Sequence, residues 1–173
     1  METTGIVRRI DELGRIVIPK EIRRTMRLKE GEELEILMGN DELVFKKFSA
    51  VKSIEQAAAE ITAALSSILG GTAVITDTDA VISAHGALKR ELAGAKISER
   101  LEAALAERKP KRFTGAEIFA IAGENTENVK EILFSPIIAG GDLYGSVVFL
   151  SPRDNVSMDS INLSAKFLEN LCV

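Results

Sequence analysis

The N-terminal segment of residues 4–24 reads TGIVRRIDELGRIVIPKEIRR and alternates strand-forming residues with turn-forming ones. Gly5–Ile10 predicts a first strand, whose alternate side chains would share a face. Asp11–Gly14 then predicts a turn, and the β-branched run within Arg15–Ile18 predicts a second strand. Pro19 cannot continue a paired strand but suits the first turn of a helix, so we expect a helix over about Pro19–Arg27.

Two further strands complete this N-terminal region. Alternating apolar residues at 34, 36 and 38 predict a third strand, Gly39-Asn40-Asp41 a hairpin turn, and Leu43–Phe48 a fourth strand. About fifty residues bury too little surface to fold without a disulfide, a metal or a partner chain. The region has neither Cys nor His. We therefore expect an obligate dimer, with a core shared by two chains and formed by Ile16, Ile18, Ile22 and Leu34.

Charge is distributed unevenly along the chain. Residues 1–29 contain eight basic and four acidic side chains, a net charge of +4, whereas the whole chain of 173 residues carries −4. A helical wheel over the predicted helix places its basic residues opposite Ile22 and Met26. Because attraction to phosphate depends on local charge, this pattern indicates a polyanion-binding end. The basic residues of the predicted helix face are Lys20, Arg23, Arg24 and Arg27.

A different periodicity follows, over residues 51–70. Apolar residues recur there with a period of about 3.6, which predicts an amphipathic helix; Ser53 is the expected N-cap and Gly70-Gly71 the stop signal. This helix is either the first helix of a second domain or a linker helix that pairs with its copy in a dimer, and both are compatible with the pattern. Its apolar stripe consists of Ile54, Ala57, Ala58, Ile61, Leu65 and Leu69.

Residues 71–173 form the second domain of the predicted division into 1–50, 51–70 and 71–173. Strands and helices mix there around a strong glycine turn at Gly140-Gly141-Asp142, which is typical of an α/β sandwich of the sensor type. Ser157 is the expected cap of a final helix that carries Phe167 and Leu171. The other predicted elements are strands at Thr72–Thr76, Ala80–Ala84, Ile118–Ile121, Lys130–Ala139 and Leu143–Ser151, and helices at Ala87–Leu92 and Ser98–Glu107.

Residues 4–24 resemble the swapped-hairpin DNA-binding domain of the AbrB family of transcriptional regulators, and the resemblance covers about the first fifty residues. It implies an α+β chain in which two N-terminal segments interleave into one small β-barrel. It also implies that double-stranded DNA contacts the arginines at the matching positions, to which the helical wheel adds Lys20 and Arg27. The matching positions are Arg8, Arg9, Arg15, Arg23 and Arg24.

Residues 136–149 resemble the closing hairpin of a GAF domain, which implies a GAF-like sensor or oligomerisation domain. The resemblance leaves the ligand open: any effector is an unidentified small molecule, and no cofactor-binding residue is assigned. The expected assembly is a homodimer through the N-terminal domain and a homotetramer through the C-terminal domain. The apolar helix stripes at Ile54–Leu65 and at Phe167 and Leu171 are the surfaces expected to join them.

No catalytic group stands out, and we expect no enzyme, no cofactor and no metal. His85 lies beside Gly86 without a Ser/His/Asp or Cys/His set, Asp77 and Asp79 fit a turn between strands, and Cys172 is the only cysteine. Asp11 and Glu12 are expected to orient neighbouring arginines and to shape their turn. No apolar run approaches the length of a membrane span, and the N-terminus lacks the apolar core of a signal peptide, so we expect a cytoplasmic, nucleoid-associated protein.

The resulting hypothesis is a DNA-binding transcriptional regulator, activator and repressor, of sporulation or transition-state genes. Two alternatives stay open. One is an antitoxin-type regulator on the same barrel, although antitoxins usually carry a short disordered tail and residues 51–173 have the pattern of a folded domain. The other is a GAF-based small-molecule or redox sensor, or an enzyme, with little DNA binding.

Overall fold

The computed structural model describes residues 5–48, 55–124 and 126–172. The chain divides into two compact units, Met1–Phe48 and Ser49–Val173. The predicted cap Ser53, the stripe residue Ile54 and the predicted boundary at residues 50 and 51 lie outside the described residues. Within the described ranges, no helix has both the length and the apolar character needed to cross a bilayer.

The first unit contains helix α1 (Lys20–Thr25) and an antiparallel pair of strands, β1 (Leu34–Met38) and β2 (Leu43–Lys47). Gly39 donates its N–H to the carbonyl of Glu42 at 2.9 Å and closes the hairpin. The predicted third and fourth strands are confirmed, except that β2 ends one residue before Phe48.

Three predictions for this unit are wrong in the single chain. Gly5–Ile10 and Arg15–Ile18 are not strands: the only backbone hydrogen bond between them is from the Asp11 N–H to the Arg15 carbonyl, 3.1 Å, and a strand needs a neighbour along its length. Helix α1 begins after Pro19, whose ψ of 149° is not helical, and ends at Thr25. It stops there because Arg27 takes a left-handed φ of 51° and the Leu28 N–H bonds back to the Arg23 carbonyl at 2.7 Å.

The second unit is built on a five-stranded antiparallel sheet of order β4-β3-β7-β6-β5. Predicted strand Thr72–Thr76 is confirmed as β3, and the glycine hairpin joins β6 to β7 as expected. The elements are helices α2 (Glu55–Leu69), α3 (Lys89–Leu92), α4 (Glu99–Glu107) and α5 (Asp159–Leu171), and strands β3 (Thr72–Thr76), β4 (Val81–His85), β5 (Lys111–Thr114), β6 (Glu131–Ala139) and β7 (Asp142–Ser151).

Each face of this sheet has its own apolar core. Val74 points to a core that α3 and α4 cover, whereas its neighbours Ala73 and Ile75 point to a core that α2 and α5 cover. Helix α2 packs on its own sheet through Ala58, Thr62 and Leu65, and the Thr62 hydroxyl hydrogen-bonds to that of Ser83 on β4 at 2.9 Å. Helix α2 is therefore the first helix of this domain, and its pairing with a copy stays a prediction.

Several predicted boundaries in this unit move. The strand expected at Ala80 begins at Val81, the helix expected at Ala87 begins at Lys89, and the strand expected at Lys130 begins at Glu131. The helix expected from Ser98 begins at Glu99, because the Ser98 hydroxyl caps it by accepting from the Leu101 N–H at 3.3 Å. Each of these shifts is a single residue or a single turn and leaves the order of elements unchanged.

Two predicted features of the second unit are wrong. Ile118–Ile121 is not a strand: Phe119 and Ile121 are buried under α4, and the segment's backbone bond is from the Ser98 N–H to the Ile121 carbonyl, 2.8 Å. The edge strand is β5 instead. Ser157 is not the N-cap of the last helix; Met158 occupies that position, and the Ser157 hydroxyl accepts the N–H of Asp159 at 3.1 Å.

Candidate nucleic-acid interface

The basic residues of α1 are exposed. Lys20, Arg23 and Arg24 lie on the outside of a single short helix, whereas Ile22 on the same helix is half-buried. None of the three forms an ion pair with another residue of the described ranges. Arg27 is also exposed but does not continue the helix face, because its left-handed backbone lies beyond the last helical residue. Three of the four wheel residues therefore share one short helix, and Arg27 follows it.

The turn before α1 places Arg15 beside Asp11. One carboxylate oxygen of Asp11 accepts the N–H groups of Leu13 and Arg15 at 2.9 and 2.8 Å, and the other accepts Nε–H of the Arg15 guanidinium at 2.7 Å. These bonds, that from the Arg15 N–H first, hold the pKa of Asp11 below its ordinary value. Glu12 is exposed on the turn. The expected orienting role is confirmed for Asp11.

Arg8 and Arg9 are exposed on the segment that precedes the turn. Consecutive residues of an extended chain point in opposite directions, so these two side chains would reach different parts of a bound duplex. The described contacts leave both without an ion-pairing partner among the described residues. They are available to phosphate in the same way as the residues of α1.

Two features of this unit lie outside the predicted site. Residues 30–42 contain six acidic side chains and no basic one, so the part of the unit that follows α1 carries the opposite charge to α1. Lys47 pairs with Glu32 at 3.0 Å and donates to the Arg27 carbonyl at 3.1 Å, which fastens the end of α1 to β2. The acidic run is visible in the sequence, whereas the bond from Lys47 to Arg27 depends on the fold.

The first unit leaves most of its apolar side chains exposed. Pro19 is the only buried residue among its described residues, and the predicted core residue Ile16 is 41% exposed. Ile18, Ile22 and Leu34 are half-buried. Other large apolar side chains that are at least one-third exposed are Ile6, Val7, Ile10, Leu13, Val17, Met26, Ile36, Met38, Leu43, Phe45 and Phe48.

The last helix of the second unit has two apolar stripes. Ile161, Ala165 and Leu168 are buried against the sheet, while Leu163 and Phe167 are 72% and 53% exposed. Leu171 continues the exposed stripe at 41%, and Ile68 of α2, on the same face of the sheet, is 77% exposed. The predicted surface residues Phe167 and Leu171 are thus exposed, whereas Ala58 and Leu65 of the α2 stripe are buried against the sheet.

The remaining polar residues of this unit have structural surroundings. His85 is exposed at the end of β4, and the Asp77 carboxylate accepts the N–H groups of Asp79 and Ala80 at 2.8 and 2.7 Å, as a turn requires. Burial raises the pKa of the half-buried Cys172 thiol. No cluster of three or more His, Cys, Asp or Glu side chains suited to a metal occurs within the described ranges.

Comparisons with known proteins divide at the same point as the structure. Residues 53–169 match the family model described as the C-terminal domain of stage V sporulation protein T, transcription factor. Residues 7–47 match the model of the MazE bacterial antitoxin, which recognises a toxin. The first match covers well over half of the chain.

Relatives and solved structures agree with this division. The chain is 40% identical to stage V sporulation protein T of Bacillus subtilis over 172 residues, which cover 97% of each protein. Its first 48 or so residues are 50% identical to the transition state regulatory protein AbrB of Bacillus subtilis, covering 28% of this chain and 50% of that protein.

The fold of the second unit is that of a GAF domain. The GAF domain of a phosphoenolpyruvate-protein phosphotransferase from Coxiella burnetii superposes with a TM-score of 0.53 at 15% identity, over 69% of this chain and 80% of that one. The GAF domain of CodY from Clostridium difficile gives 0.50 at 13% identity, over 69% and 92%. The predicted resemblances to the AbrB family and to GAF domains are confirmed, and the chain belongs to the stage V sporulation protein T family of transcription factors.

Proposed function

We propose that this chain regulates transcription by binding double-stranded DNA through the exposed basic residues of its first unit. The observation that carries this proposal is the set of unpaired, exposed cationic side chains on and around α1, in a chain whose net charge is negative. Arginine and lysine on such a surface neutralise phosphates, and an arginine fork also reads guanine. The contact residues are Arg8, Arg9, Arg15, Lys20, Arg23, Arg24 and Arg27.

A second copy of the chain completes this DNA-binding unit. An isolated fold that buries one residue and exposes a dozen large apolar side chains has no core of its own. The unpaired backbone of residues 5–10 and 15–18 likewise needs neighbouring strands. Two copies that interleave these segments supply both at once and form the swapped-hairpin barrel. Each barrel then presents two copies of every arginine to the duplex.

The first prediction concerns single arginines. Arg8→Ala, Arg15→Ala, Arg23→Ala and Arg24→Ala are each expected to weaken DNA binding while the fold is kept, because the side chains are exposed. The loss is about 1–3 kcal/mol for an arginine that grips a base edge, and a shallower salt dependence for one that grips phosphate only. Fluorescence anisotropy with a labelled duplex over a salt series measures both. Unchanged affinity and salt dependence in all four variants would contradict the assignment.

The second unit joins two barrels into a tetramer. Its exposed stripe of Leu163, Phe167 and Leu171, with Ile68 nearby, is a contiguous kind of apolar surface that soluble monomers rarely keep. Tethering two barrels raises their effective concentration on one duplex without any new base contact. The same unit has a sensor-type fold, and we assign to it an unidentified small-molecule effector. The proposed assembly is a homotetramer made of two barrel dimers.

The regulated genes are those of sporulation or of the transition state, activated or repressed according to promoter. The names of the two Bacillus subtilis relatives support this choice. DNA binding of this kind places the protein in the cytoplasm at the nucleoid, and it needs neither a catalytic step nor a cofactor. Mapping the bound sites across the genome during growth and starvation tests the choice directly.

An antitoxin is the second candidate, since residues 7–47 match the MazE model. An antitoxin of this class would use a short flexible tail to hold its toxin, whereas residues 55–172 here fold as a GAF-like domain around two apolar cores. A pull-down from the source organism that recovered one toxin in stoichiometric amount would favour this candidate. Recovery of DNA without such a protein favours the regulator.

A further inference from the structure

The guanidinium of Arg15 is held along one edge only. Its Nε–H donates to Oδ2 of Asp11 at 2.7 Å, and the Arg15 side chain remains 70% exposed. Its two terminal nitrogens, Nη1 and Nη2, make no hydrogen bond to the described residues. These two nitrogens are the fork that matches a phosphate or the edge of guanine.

Asp11 itself is fixed by the backbone of its turn. Its Oδ1 accepts two main-chain N–H groups, those of Leu13 and Arg15. The Gly14 N–H bonds to the Asp11 carbonyl at 2.9 Å, and Gly14 has the left-handed φ of +77° that this turn requires. Oδ2 is therefore placed by a rigid frame rather than by a mobile side chain. Since these bonds lower the pKa of Asp11, the carboxylate stays ionised at neutral pH.

We propose that Asp11 is a positioning residue for DNA binding, which holds Nε of Arg15 so that the Nη1 and Nη2 fork faces the duplex. This inference rests on the proposed function, because it assumes that Arg15 contacts DNA. A free arginine loses the freedom of several rotatable bonds when it binds, and an arginine already held by Asp11 loses less. The affinity gained is the part of that loss which the turn has already met.

The proposal predicts an effect of opposite sign to simple electrostatics. A carboxylate close to a polyanion repels it, so removal of the Asp11 charge should tighten DNA binding if charge alone matters. If Asp11 positions Arg15, the same removal weakens binding. Asp11→Asn is the suitable variant because its amide oxygen can still accept the two main-chain N–H groups, while its NH2 cannot accept Nε–H.

Glu12 provides a matched control on the same turn. Glu12→Gln removes an equal charge one residue away from a side chain that is exposed. The full-length chain and its Asp11→Asn, Glu12→Gln, Arg15→Ala and Asp11→Asn/Arg15→Ala variants are titrated against one fluorescein-labelled, mixed-sequence duplex over a salt series. Circular dichroism and sedimentation of each variant confirm the fold and the assembly.

We expect Asp11→Asn to weaken binding about threefold to tenfold and Glu12→Gln to leave it equal or tighter. In the Arg15→Ala background, Asp11→Asn has no arginine left to release, so binding stays equal or becomes tighter. Equal or tighter binding by Asp11→Asn in the native background overturns the positioning role while leaving the basic surface intact. No effect of Arg15→Ala would instead remove Arg15 from the proposed interface and the inference with it.

Arg15→Lys keeps the proposal testable if Asp11→Asn disturbs the turn. Lysine keeps the charge but has no Nε–H group and no fork. We expect Arg15→Lys to lose at least as much affinity as Asp11→Asn in the native background. Native affinity in Arg15→Lys would show that charge alone suffices at this position and would overturn the proposal.

Discussion

Replacement of Ile18 by Asp is expected to unfold the first unit and to abolish DNA binding. Ile18 is half-buried in the single chain, and in the two-chain barrel it joins the shared core with Ile16, Ile22 and Leu34. Each barrel would then contain two unpaired carboxylates, and each such burial costs several kcal/mol. A core of about fifty residues per chain supplies only about 3–5 kcal/mol of stability, so it cannot absorb this cost.

Limited proteolysis and sedimentation of the full-length protein measure the result. Residues 5–48 should become rapidly cleaved while the second unit stays resistant, and the assembly should fall from four chains to the two that the second unit holds. Ile18→Val, which removes one methylene without adding charge, is the control and should behave as the native chain apart from a small loss of stability. A protease-resistant first unit in Ile18→Asp would rule out the shared core.

Charges on the exposed stripe of α5 are expected to split the tetramer. Leu163→Glu and Phe167→Glu together place two carboxylates per chain in the proposed helix contact, where they would be buried without partners. Glutamate is a good helix former and both positions are exposed in the single chain, so α5 itself should stay folded. The barrel dimers survive, and loss of the tether lowers the apparent DNA affinity about tenfold or more.

Sedimentation and DNA titration separate this outcome from a general loss of stability. Ala103→Glu adds a charge to an exposed position of α4, on the other face of the sheet, and should leave both the mass and the affinity unchanged. Combining the α5 pair with Ile18→Asp should give single chains, because each change removes a different contact. A tetramer that persists with both glutamates in place would show that α5 covers no partner.

The second unit was the easier part of the fold to predict. Strand β3 follows from five consecutive residues, Thr72–Thr76, that are buried between Gly70-Gly71 and an aspartate turn, so local signals and packing agree. Ile118–Ile121 has the same apolar composition but lies under α4 with few backbone partners. Its side chains, not its backbone, bring it to the core, and composition does not distinguish these two cases.

The first unit shows a different reason for error. Gly5–Ile10 and Arg15–Ile18 have the pattern of strands, yet a strand is a property of a pair, and one chain supplies no neighbour for them. Arg27 also carries a helical pattern but leaves the helix, because Leu28 bonds back to Arg23. Neither outcome is a matter of intrinsic propensity, since both depend on which backbone groups find partners.

The candidate site follows the same distinction. The basic excess of residues 1–29 and the match to a DNA-binding family identify the arginines from sequence alone. The bond from Arg15 to Asp11 is also local, with four residues between the partners, and the turn pattern allowed it to be expected. The link from Lys47 to the Arg27 carbonyl spans twenty residues and depends on how β2 lies against α1, which no local pattern encodes.

The central claim is that the arginines of the first unit bind DNA, and one titration tests it most directly. A full-length variant in which Arg8, Arg15, Arg23 and Arg24 are all alanine is compared with one in which four exposed basic residues of the second unit, Lys89, Arg90, Lys96 and Lys109, are alanine. Both lose the same charge, so general electrostatics predicts the same loss. We predict that the first variant loses measurable binding and most of its salt dependence, at about 0.9 in slope per phosphate contact, while the second binds nearly as the native chain. Equal losses in the two variants would contradict the account.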